Sequence, residues 1–138
     1  MATPERRSSS LPAVPQPARQ VQAPLPPLEQ TRDIGWLITV LGAVGALLGS
    51  WTLFSSDSPD GMWAGYWVST FATTALLGTA WLRSTLPTVP GVVITAGSGL
   101  VLALVGAVRD YPTTITTVMV AGGAVITIGA VMQSVRRH

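Results

Sequence analysis

Four long apolar runs, at about 34–54, 62–82, 89–108 and 113–135, follow a polar leader and are divided by three short polar breaks. A helix rising 1.5 Å per residue needs ~20 residues to cross ~30 Å of hydrocarbon, and each run is about that long. Every run exceeds the ~9 to 11 residues of a barrel strand, and the Val/Thr-rich last one lacks strict alternation. The pattern predicts an all-α fold, an integral membrane four-helix bundle at 33–138, with a disordered Pro-rich tail at 1–32.

Composition agrees with that division. Hydrophobic residues make up 48% of the 138 positions and charged residues only 10%, less charge than a soluble domain of this size carries. Beyond residue 33 the charges, Asp57, Asp60, Arg83, Arg109, Asp110, Arg136 and Arg137, fall between apolar runs or near residue 138. All 8 basic residues are arginine, and cysteine is absent, which excludes disulfides and thiolate chemistry. A pI near 9.9 could suggest nucleic acid, but the arginines form no basic face interleaved with aromatics, so no nucleic-acid partner is expected.

The leader holds most of the chain's 11 prolines and too little apolar surface to build a core. Pro24, Pro26 and Pro27 suit local polyproline II, and Pro12, Pro15 and Pro17 have PxxP-like spacing. Arg6 and Arg7 lie too far from the first apolar run to form a twin-arginine signal, so that run reads as a retained anchor. One side of the membrane receives Arg6, Arg7, Arg19, Arg32, Arg83, Arg136 and Arg137; the other receives Arg109 alone. The positive-inside rule therefore predicts a multi-pass protein of the cell membrane with both termini cytoplasmic. His138 reads as a chain end and not as a metal ligand.

GWLIT at 35–39 returns as GVVIT at 91–95, and Leu48 matches Leu104 at the same offset. Both pentapeptides open outward-running helices, so the repetition reads as two parallel hairpins. Helices in lipid associate through small residues that admit a neighbouring backbone. Packing faces are expected at Gly42, Gly45 and Gly49 in the first helix, which together make the tightest helix contact, and at Gly65, Ser69 and Thr73 in the second, beside a stripe of Thr70, Thr74 and Gly78. The third contributes Gly99, Ala103 and Ala107, and the fourth Ala121 to Ala124 followed by Gly129 and Ala130. A bundle with such faces has the lipid bilayer as partner, together with other membrane proteins or a second copy of itself.

Eight of nine aromatics lie near helix ends, Phe71 being the deep one. Trp36 and Trp81 fall at the cytoplasmic level, and Trp51, Phe54, Trp63, Tyr66, Trp67 and Tyr111 at the outer level, as an interfacial aromatic belt requires. The spacing of Trp63, Tyr66 and Trp67 also permits a groove for a lipid or quinone tail opposite Trp51. GSW at 49–51 closing the first helix, with Trp63 opening the second in a four-helix chain, resembles the SPW-repeat membrane proteins. That resemblance implies architecture and no activity.

Catalytic constellations are not evident. AGSG at 96–99 lies within a helix and has the spacing of neither a dinucleotide loop nor a nucleophile elbow. No Asp, Glu, Lys, Arg or His falls inside a span, which argues against proton-coupled exchange. Ser, Thr and Gln133 supply the polar groups, all able to bond carbonyls of their own helix. The sequence therefore points to a non-enzymatic protein without catalytic, metal or cofactor residues: a structural or accessory membrane subunit. Alternatives are a passive pore lined by Thr39, Ser69, Thr73 and Thr95, and a holin-like or phage-exclusion protein.

Overall fold

The computed structural model describes residues 27–135 as four helices with short connections: α1 (Pro27–Leu53), α2 (Pro59–Arg83), α3 (Thr88–Val108) and α4 (Thr113–Gln133). The proline segments at 1–26 and the basic residues 136–138 lie outside the described residues. Each helix packs on the next and α4 closes the ring onto α1, while only a slight contact crosses the bundle from α2 to α4. Short connections make neighbours antiparallel, so α1 and α3 run the same way.

Two helices start before their apolar runs. α1 begins at Pro27, so residues 27–32, expected to belong to the disordered tail, are helical. Proline suits a first turn because the N–H it lacks would have no partner there. α2 begins at Pro59 because Ser58 caps it, the serine Oγ accepting from the Gly61 N–H at 3.1 Å, with Asp60 in the first turn. A Cβ at Gly61 would strike the Ser55 carbonyl, so glycine lets the connection fold onto this turn.

Small residues dominate the inside and large apolar ones the outside. Ala43, Ala46, Ala64, Ala72 and Ala75 are buried, whereas Leu37, Leu41, Leu48, Val93, Leu104 and Ile128 are exposed. In water such an arrangement would waste the driving force of burial. In lipid it costs nothing, and small interior residues bring helix backbones close enough for dispersion contacts. Asp33–Leu53, Thr88–Val108 and Thr113–Gln133 are long and apolar enough to cross a membrane. Four spans were expected from the sequence. The remaining helix, α2, matches in length at 25 residues but is diluted by Ser69, Thr70, Thr73, Thr74 and Thr79.

Candidate functional site

No glycine among the described residues has a positive φ, so these glycines serve through the side chain they lack. The seam between α1 and α4 shows this most regularly. A Cβ at Gly35 would lie 2.8 Å from the Met132 Cβ, and one at Gly42 would lie 2.8 Å from Val125 Cγ1. At Gly49 the nearest atom would be Val118 Cγ1, at 3.2 Å. Seven residues forward along α1 thus correspond to seven residues back along α4, two turns of each antiparallel helix. From the α4 side, Gly122 faces Ala46, and Gly129 faces the Thr39 hydroxyl and the Gly35 carbonyl.

Gln133 finishes that seam with a buried polar cluster. Its Nε2 donates to Thr39 Oγ1 at 2.8 Å, with longer approaches to the Gly129 carbonyl at 3.4 Å and the Gly35 carbonyl at 3.5 Å. Thr39 Oγ1 in turn donates to the Gly35 carbonyl at 3.0 Å. An amide in hydrocarbon without such partners would carry a desolvation cost of several kcal/mol. The cluster therefore specifies how the ends of α1 and α4 meet.

The repeated pentapeptides do the same structural task twice. Thr39 bonds the Gly35 carbonyl and faces Gly129 of α4; Thr95 bonds the Gly91 carbonyl at 2.8 Å and faces Gly78 of α2. Both threonines are 0% exposed. The α3·α4 seam is closest at Gly99 and Gly123, where a Cβ at Gly99 would lie 2.7 Å from the Gly123 carbonyl oxygen. Ala103 also meets Gly123, and Gly106 meets Met119.

Other sequence-selected positions lie elsewhere. A Cβ at Gly45 or Gly65 would find nothing within 4 Å. Gly45 is exposed, so of the three glycines expected to share the closest contact, Gly42 and Gly49 lie on the α1 face that meets α4 and Gly45 does not. Small residues in one sequence mark where a helix can be approached, without showing where its neighbour's axis lies. On α2 the inward stripe is Ala64, Val68, Ala72, Ala75 and Gly78; Ser69 is half-buried and Thr73 exposed. Gly35, Gly78 and Gln133 enter the seams although the expected faces omitted Gly35 and Gln133 and gave Gly78 to a secondary stripe. The seven-residue interval from Gly35 through Gly42 to Gly49 is the sequence signal that could have marked the α4 seam.

The aromatics divide between the two ends of the bundle. At the end holding Gly35 and Gln133, the Arg83 guanidinium carbon lies 4.6 Å from the Trp36 ring centroid, joining α2 to α1. Trp81 Nε1 donates to the Pro87 carbonyl at 3.0 Å across the next connection. At the opposite end, Trp51 is 76% exposed, while Trp63 and Tyr66 lie outward with ring centroids 6.1 Å apart. Trp67 turns inward and stacks on Phe71 at 5.6 Å, so the three α2 aromatics do not share one exposed face. The hydroxyl of half-buried Tyr111 is enclosed and has no hydrogen-bond partner among the described residues.

The pore residues do not meet around a lumen. Thr39 and Thr95 lie in separate helix seams and Thr73 faces outward. Among the described residues, no group of three or more His, Cys, Asp or Glu side chains could hold a metal ion. Comparison of the chain with known families, curated proteins and solved structures finds no match.

Proposed function

We propose that this chain is a non-catalytic integral membrane protein, a structural or accessory subunit that packs against other membrane proteins or a further copy of itself. All four helices span the bilayer in this reading, with both termini cytoplasmic. The fourth span is supported by the place of α2 in the bundle. Gly78 against Thr95, and Leu82 against Gly91, hold it alongside α3, a helix apolar enough to cross. With only residues 54–58 and 84–87 as connections, its ends reach the levels reached by α1 and α3.

The observation that carries the subunit reading is that the buried hydroxyls are all engaged within their own helices while open small positions remain on the outer side. Buried Thr39, Thr79, Thr95 and Ser98 each donate to a carbonyl one turn back in their own helix. These groups are committed to helix structure and offer no acid, base or nucleophile. A Cβ at exposed Gly45 or half-buried Gly65 would meet nothing within 4 Å, and half-buried Ser69 and exposed Thr73 make no hydrogen bond among the described residues. In a bilayer such sites suit a neighbouring helix better than they suit acyl chains.

Gentle solubilisation followed by affinity purification should bring the chain out in a defined complex. A single copy with no companion protein would refute the subunit reading. Reporter fusions after residue 135 should read cytoplasmic and insertions at Ser58 external; the opposite pattern would overturn the orientation.

A further inference from the structure

Arg83 and Trp36 meet at one end of the bundle with their hydrogen-bond donors unused. Arg83 is the last residue of α2, and its guanidinium carbon lies 4.6 Å from the centroid of the Trp36 ring on α1. Arg83 is exposed and Trp36 half-buried, so the ring covers one side of the cation and leaves the rest open. The guanidinium N–H groups have neither an ion pair nor a hydrogen bond among the described residues, and exposed Asp33, one turn before Trp36, does not pair with them. The Trp36 indole N–H also lacks a partner there and is not enclosed. Trp81 at the same end differs, because its indole N–H is taken by the Pro87 carbonyl at 3.0 Å.

The depth of the pair decides what it faces. Trp36 stands one turn inside the apolar stretch that begins at Asp33, about 4.5 Å along the axis at ~1.5 Å per residue. In a bilayer that is the level of the phosphates and glycerol esters, where tryptophan also prefers to lie. We infer that Arg83 and Trp36 form a binding site for the phosphate of an anionic phospholipid, in the leaflet at this end of the bundle. The inference rests on the membrane reading above and adds to it a lipid class and two residues.

A lipid phosphate is the occupant because its charge and its depth both complement the pair. Phosphate oxygens accept two parallel N–H bonds from one guanidinium, and the indole N–H adds a further donor from α1. Contact with the ring removes water from one side of the cation and holds it in place. Its attraction for an anion is then less screened, and little side-chain ordering remains to be done on binding. A zwitterionic headgroup brings its own ammonium to the phosphate, whereas an anionic headgroup leaves that charge to the arginine. Because the donors belong to α1 and α2, a bound phosphate bridges the two helices of the first hairpin.

The full chain, purified in a neutral detergent, is titrated with phosphatidylglycerol or phosphatidylcholine in mixed micelles, and bound lipid is counted by native mass spectrometry. Phosphatidylglycerol should bind about tenfold more tightly, and Arg83→Gln should remove that preference. Arg83→Lys, which retains the charge without the planar fork, should keep only part of it, and it replaces Arg83→Gln if the latter loses its helical circular dichroism. Arg109→Gln removes the same charge from the exposed connection at the other end and should leave the preference unchanged. An equal loss in Arg109→Gln would assign the preference to net charge and overturn the site, as would a preference that survives in Arg83→Gln. Excess inorganic phosphate at constant ionic strength should not displace the lipid; displacement identifies a soluble phosphate as the occupant and overturns the lipid assignment. A chain that leaves vesicles on alkaline extraction removes the membrane reading together with the site, whereas one that stays inserted without an anionic preference overturns the site alone.

Discussion

Gly129→Ala is the smallest perturbation that asks whether the α1·α4 seam depends on missing side chains. The added Cβ would meet the Thr39 hydroxyl, the Thr39 backbone nitrogen at 2.6 Å and the Gly35 carbonyl oxygen at 2.8 Å. Two of those atoms are backbone, so a rotamer change cannot relieve the contact and the helices must separate by several tenths of an ångström. Overpacking of this kind costs ~1 to 3 kcal/mol. Separation also stretches the 2.8 Å bond from Gln133 to Thr39, an interhelical bond worth ~0.6 kcal/mol in lipid. Alanine returns up to ~1 kcal/mol in helix propensity, leaving a net loss of roughly 1 to 2 kcal/mol. Gly45→Ala meets nothing within 4 Å and should be neutral or stabilised by that propensity gain. Both purified variants are unfolded in a mixed-micelle denaturant titration in the same detergent. If Gly129→Ala is as stable as Gly45→Ala, the close seam does not exist.

Gln133→Leu should cost ~0.6 to 2 kcal/mol in the same titration, because Thr39 loses its amide partner while keeping its bond to the Gly35 carbonyl; no loss would show the cluster to be dispensable. Tyr111→Phe should be neutral or stabilising by up to ~1 kcal/mol, since it removes an enclosed hydroxyl without a partner, and a clear loss of stability would reveal a bond to that oxygen. Arg83→Ala should lose ~0.5 to 1 kcal/mol together with the tryptophan fluorescence change expected when the cation leaves the Trp36 ring; an unchanged spectrum and stability would refute that contact.

The helices were legible because apolar runs of spanning length end in residues that cannot continue inside lipid. The breaks around Asp57, Arg83 and Arg109 set three connections within a few residues of their observed places. Their edges were less legible, since polarity and helicity end at different points. Residues 27–32 are polar enough to leave the bilayer yet remain helical, and α2 starts at a serine cap rather than at Met62. Contact faces were partly legible. Gly42 and Gly45 are both small and lie only about 60° apart around a helix of 3.6 residues per turn. Which of the two meets α4 depends on the position of another helix, and only the bundle supplies that.

The repeated pentapeptide shows how a shared local device becomes two unequal interfaces. In each copy a threonine returns its hydroxyl to the glycine one turn back, then offers a compact surface to a glycine on an antiparallel helix. Beyond this the copies diverge: Gly35 packs beside Gln133, whereas Gly91 packs beside Leu82 and Trp81. The α1·α4 seam therefore gains a hydrogen bond between helices where α2·α3 has apolar contact, and the amide restricts the register of α1 against α4 more tightly. The repeated glycine–threonine step therefore joins one hairpin to the other, through α1·α4 and through α2·α3, and the amide makes the first of these seams the more restrictive.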